Sequence, residues 1–154
     1  MPQFVQLVSE MKNKSTNNVP FTREDLKMAM NLSHGSVWMK SHPNLLQGVP
    51  EHLNFSELSG GLPPNTYKQQ AGPTRAWMST NWSGICDKLA SVSSPTLIVT
   101  GTDDNAVPSG NSLIIAAKIP DAWLVHIKDA GHVLMDQYPD KFNKVLQTFL
   151  STTN

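Results

Sequence analysis

The sequence predicts an α/β chain in which a helical N-terminal region precedes two parallel strands with flanking helices. From Ser94 onward, apolar and β-branched runs alternate with helical periodicity in the order strand, helix, strand, helix. This is the pattern of a right-handed parallel βαβ unit followed by a covering helix. Residues 1–90 instead carry apolar side chains at helical spacing, with no convincing strand.

Phe4, Leu7, Val8 and Met11 recur at helical spacing and predict a short amphipathic helix. Thr22 with Asp25 approximates a capping box, and Leu26, Ala29 and Met30 extend a second helix that should end near Gly35. Between Pro43 and Pro73 the prolines and glycines are too dense for long regular elements. A further helix is expected to carry Arg75, Trp77, Met78 and Trp82.

In the second half, Thr96 to Thr100 is a short β-branched run suited to a strand covered on both faces. Gly110 to Ile119 is expected to be helical, with Leu113, Ile114 and Ala117 on one side. Trp123 to Ile127 is the second strand, its apolar character interrupted by His126. Pro139 suits a helix start, and Phe142, Val145, Leu146, Phe149 and Leu150 then form an inward face.

The composition limits the partners. Twelve basic and twelve acidic side chains balance, so the chain has no electrostatic footprint for nucleic acid or an anionic membrane. Small molecules or proteins are the expected partners. The single cysteine, Cys86, excludes an internal disulfide framework and a cysteine-based zinc site. His34, His42 and His52 follow no recognised ligand spacing, so a metal site is not expected; no cofactor is expected either. The opening MPQFVQLVSEMKNK has no basic leader before a long apolar run, and a cytoplasmic location is the default expectation.

Chemistry is sought at the carboxyl ends of the strands, where ligands gather in open parallel sheets. The first strand ends in Gly101-Thr102-Asp103-Asp104 and the second in Asp129-Ala130-Gly131-His132. An acid and a histidine on neighbouring strand ends can hydrogen-bond, and the carboxylate then fixes the imidazole tautomer for general-base work. Against this, an Asp after a strand is commonly a turn former that caps local amides. Taken singly, neither residue identifies a site.

Together with their surroundings, these residues resemble the C-terminal end of the α/β-hydrolase fold. In that family a strand leads to a G-x-x-D-x-x-V-P turn bearing the triad acid, matched by Gly101, Asp104, Val107 and Pro108. The next strand leads to Gly-His bearing the triad base, matched by Gly131 and His132, before a helix that opens with proline. The resemblance spans roughly residues 85–150. It implies that Asp104 and His132 are catalytic, with Asp103 serving the turn. It further implies that residues 1–84 are a mobile helical cap and residues 85–154 the C-terminal segment of the core. Trp38, Met39, Trp77 and Trp82 are then candidates for an apolar substrate pocket, although large apolar residues at helical spacing more often form core.

Esterases of this family place their nucleophile in G-x-S-x-G on a strained strand-to-helix turn. None of the nine glycines has a glycine four residues on with serine between them. Ser33-His34-Gly35-Ser36 and Trp82-Ser83-Gly84 lack the spacing. The resemblance therefore implies a portion of a hydrolase with acid and base but without nucleophile or oxyanion hole, expected to be inactive alone. An ester-like small molecule is the expected substrate once an N-terminal half completes it. Two other descriptions stay open. The chain is either a non-catalytic module binding a small molecule or protein, or a homo-oligomer paired through the exposed edge of its first parallel strand.

Overall fold

A computed structural model of the chain describes residues 6, 7, 9–11, 13, 14, 17, 19–53, 69 and 85–153. Trp77 and Trp82, and the helix expected around them, lie outside the described residues. The architecture is mixed α/β, with a small parallel sheet and flanking helices.

Residues 6, 7, 9–11, 13 and 14 are helical, and Leu7 is buried. Strand β1 (Phe21–Thr22) then pairs antiparallel with β2 (His52–Leu53). This corrects the expectation of a strandless N-terminal region. Two residues are too few for alternation to reveal a strand; Phe21, opposite Leu53, is buried.

Helix α1 (Arg23–His34) begins at Thr22, whose hydroxyl accepts from the Asp25 amide while the Asp25 carboxylate accepts from the Thr22 amide. Both halves of the capping box are present, so two otherwise unsatisfied amides are paired at the helix start. Lys14 also ion-pairs with Asp25 and ties the N-terminal helical residues to this cap. The helix ends at Gly35, as its sequence predicts, and α2 (Ser36–Ser41) follows directly.

Two 3-10 turns, Ile85–Asp87 and Leu89–Ser91, lead into the second half. There β3 (Leu97–Gly101) passes through α3 (Gly110–Ala116) to β4 (Trp123–Ile127). A single turn, α4 (Leu134–Gln137), and a long helix, α5 (Pro139–Thr152), complete the chain. The strands pair in parallel, with Leu97 opposite Trp123 and Gly101 opposite Ile127. Ile127, Ala130 and Leu134 form the buried centre, against which Val99, Tyr138 and Phe142 pack. At the other end of the strands, Trp123 meets the ring of Phe149 edge to face at 5.6 Å, which seats α5 on β4.

Two expectations are corrected. Leu97, Ile98 and Val99 are half-buried rather than covered on both faces. Leu150 on α5 is exposed, although its spacing places it on the inward face. Leu113 and Ile114, on one side of α3, are likewise 52% and 54% exposed. Periodicity marks which face of a helix is apolar, but burial needs a neighbouring layer, and the described sheet has two strands on which to build one. No helix among the described residues is long and apolar enough to cross a membrane.

Candidate active site

Parallel pairing in register carries the ends of β3 and β4 to the same edge, and backbone bonds lace their loops together. The Thr102 amide donates to the Ile127 carbonyl at 3.1 Å, and the Asp103 amide to the Ala130 carbonyl at 2.9 Å. Such an approach requires glycine at position 101, where a β-carbon would lie 2.1 Å from the Ala130 carbonyl oxygen. The glycine of the first motif is thus fixed by its distance to the loop that carries the second.

Asp104 faces two ways. Its Oδ1 accepts from the amides of Ala106 and Val107 at 3.0 and 2.7 Å, closing the turn. Its Oδ2 lies 3.1 Å from Nδ1 of His132. The carboxylate side chain is 7% exposed and the imidazole 49%. Because an ionised carboxylate only accepts, the proton of a neutral His132 belongs on Nδ1, which leaves the lone pair on Nε2. Nε2 makes no hydrogen bond with the described residues. The pair borders a cavity of about 210 Å³, also lined by Val107, Ser112, Leu134, Met135 and Phe142. This arrangement can hold an imidazole as a proton acceptor beside a largely apolar recess.

His132 is held by its backbone as well. Its amide donates to the Ser33 carbonyl at 2.6 Å, and the Val133 amide reaches the same oxygen at 3.2 Å. Gly131 permits this docking, since a β-carbon there would lie 2.4 Å from the His34 carbonyl carbon. The Gln137 side chain joins the two segments: Oε1 accepts from the Gly131 amide and Nε2 donates to the His34 carbonyl, each at 2.7 Å.

Asp103 has a different role from the one its position suggests. Its carboxylate accepts from the Val37 amide at 2.9 Å, at the start of α2, and from the Ser36 hydroxyl at 3.5 Å. The turn is capped by Asp104 itself, so one carboxylate serves both turn and imidazole. Ser112, Ser33 and Gln137 were not marked as site residues by sequence.

Two of the pocket candidates, Trp38 and Met39, lie elsewhere. Trp38 stacks on His42 with ring centroids 3.8 Å apart, and Met39 lines a separate cavity of about 440 Å³ between α1, α2 and the following loop. Neither borders the cavity beside His132. His126 is exposed on β4. The Ser33 hydroxyl donates to the Ala29 carbonyl at 3.0 Å within its own helix and lies 2.9 Å from Nδ1 of His34.

A family model for the alpha/beta hydrolase fold matches residues 4–139, reaching well into the N-terminal region. A 2-hydroxy-6-oxo-6-phenylhexa-2,4-dienoate hydrolase of Burkholderia cepacia is 30% identical over 106 residues, covering 69% of this chain and 32% of that protein. A 2-hydroxy-6-oxononadienedioate/2-hydroxy-6-oxononatrienedioate hydrolase of Comamonas testosteroni is 28% identical over the same shares, 69% and 32%. The chain thus spans about a third of the length of these two curated relatives. Among solved structures, the alpha/beta hydrolase enzyme MGS-M2 from a Medee basin deep-sea metagenome library aligns with a TM-score of 0.65 at 14% identity. That alignment covers 100% of this chain and 53% of the other, a likeness of fold.

Proposed function

Because this chain belongs to the alpha/beta hydrolase fold family, we propose that it is the C-terminal portion of a hydrolase in which Asp104 is the acid and His132 the base. The observation that carries this is the 3.1 Å contact between Asp104 Oδ2 and His132 Nδ1, between a buried carboxylate and a half-exposed imidazole. Residues 1–84 are the helical cap-like region of that hydrolase and residues 85–154 its last two strands with their helices. The nucleophile and oxyanion donors belong to a part not encoded in these 154 residues, since no G-x-S-x-G occurs among them.

In the completed enzyme, His132 Nε2 takes the proton of the attacking hydroxyl or water. Asp104 holds the Nδ1 proton and stabilises the imidazolium that forms, and Nε2 then returns the proton to the leaving group. The substrate is a small ester-like carbonyl compound. The names of the two relatives add oxo-dienoates to the substrates worth assaying beside esters.

An Asp–His pair without nucleophile or oxyanion hole forgoes the parts that supply much of the rate. The isolated chain is therefore expected to turn over nitrophenyl acetate negligibly, and robust turnover abolished by His132→Ala would overturn this. Translating the DNA immediately upstream tests the other half of the proposal: a strand followed by G-x-S-x-G is expected.

A second reading has its own support. The half-buried β3 and the exposed Leu113 and Ile114 favour association, either with a complementing chain or with a second copy. Light scattering at increasing concentration separates these, since a lone monomer throughout removes self-association.

A further inference from the structure

We propose that Gln137 is a positioning residue, whose side-chain amide clamps the Gly131–His132 turn to the C-terminus of α1 and so sets where the imidazole meets Asp104. The proposal rests on the acid–base role given to the dyad above and adds a residue that touches neither substrate nor imidazole.

Gln137 is a buried polar residue, 9% exposed. A buried amide must satisfy both its ends, and this one does so by bridging two separate segments of backbone. Gly131 N–H can only donate and the His34 carbonyl can only accept, so the orientation of the amide is fixed by its partners. With the His132 amide bonded to the Ser33 carbonyl at 2.6 Å, three bonds hold two successive residues of the turn against the two last residues of α1. The imidazole is half-exposed and its Nδ1 contact is its one side-chain hydrogen bond among the described residues, so its placement depends on the backbone that carries it. No other common side chain of this size serves both partners. Methionine offers neither group, and a glutamate carboxylate would confront the His34 carbonyl with a second acceptor.

Nuclear magnetic resonance on the whole chain tests the clamp. A scalar coupling across the hydrogen bond, from the Gly131 amide nitrogen to the Gln137 side-chain carbonyl carbon, is expected in the unmodified chain, and its absence overturns the proposal without any variant. The His132 Nδ1 proton, identified by its loss in Asp104→Asn, should broaden away in Gln137→Met, with about ten-fold or faster amide exchange at Gly131 and His132. Phe149→Leu, which lowers stability far from the turn, should keep both the resonance and slow exchange. A folded Gln137→Met that retains them overturns the clamp; if that variant does not fold, the scalar coupling decides. Should no Nδ1 resonance in the unmodified chain depend on Asp104, the acid–base role fails, while the coupling and amide exchange still decide the clamp.

Discussion

The carboxylate of Asp103 accepts a hydrogen bond from the backbone amide of Val37, at a sequence separation of 66 residues and a distance of 2.9 Å. It joins the turn after β3 to the first residues of α2, and so attaches the helical region to the sheet beside the dyad. Asp103→Ala leaves the Val37 amide to solvent or unpaired, and a loss of about 1–2 kcal/mol is expected in urea unfolding. Asp103→Asn retains an acceptor oxygen and should lose less. Equal losses in the two variants would show that the side chain acts by charge rather than by this bond.

Asp104 is expected to separate into two functions by substitution. Asparagine can still accept from the Ala106 and Val107 amides through its oxygen, but it cannot accept the Nδ1 proton of His132 as a carboxylate does. In the completed enzyme Asp104→Asn should keep its fold and lose on the order of 10⁴ in kcat, as when a triad acid is neutralised elsewhere. Asp104→Ala should in addition lower stability by about 1–3 kcal/mol, because the turn amides lose their acceptor. Thermal unfolding of both variants beside their kinetics distinguishes the two effects.

Gly131→Ala is expected to be costly for a steric reason. The added carbon would stand 2.4 Å from the His34 carbonyl carbon and 2.5 Å from the Ser33 oxygen, both backbone atoms with little room to yield. Destabilisation of about 1–3 kcal/mol or more follows from overpacking of this kind. An unchanged melting temperature would mean that α1 does not sit against the turn.

The cap of α1 should carry an acid dependence. Burial pushes the Asp25 carboxyl up, but hydrogen bonds from Lys14 and from the amide and hydroxyl of Thr22, with the Lys14 charge, outweigh it and hold the group below its ordinary value. A folded-state value lower than the unfolded one stabilises above the unfolded value, about 3.9, and that stabilisation is lost as pH falls through the folded value. The stability advantage of the native chain over Asp25→Asn should therefore shrink as pH drops below about 4. Urea titrations at several pH values between neutrality and pH 3 measure it, and a constant difference contradicts the assignment.

Leu113→Lys and Ile114→Lys are expected to leave the unfolding free energy of the monomer within about 0.5 kcal/mol, since both side chains are already half in solvent. A large destabilisation would instead place a covering layer over α3.

Local physics was legible in the sequence wherever the partners lie within a turn of one another. Thr22 and Asp25 announced the capping box, Gly35 the end of α1, and Pro139 the start of α5, because each acts on backbone groups a few residues away. The β-branched run of β3 and the approach of Asp104 to His132 were legible through spacing and the family resemblance together. The bonds that join distant segments were not. The G-x-x-D spacing singled out Asp104, which reaches His132 and its own turn, but nothing local announced that Asp103 reaches Val37. Gln137 carries no local signal either, because its partner on α1, the His34 carbonyl, lies 103 residues away in sequence.

The Ser33 carbonyl accepts from two successive amides, those of His132 and Val133. Were residues 1–84 to move as the proposed cap, a pivot at the end of α1 would have to break both bonds. Residues 33–37 are thus tied to the strand-end loops by the Ser33 and His34 carbonyls and by the Val37 amide, a doorpost held by backbone groups.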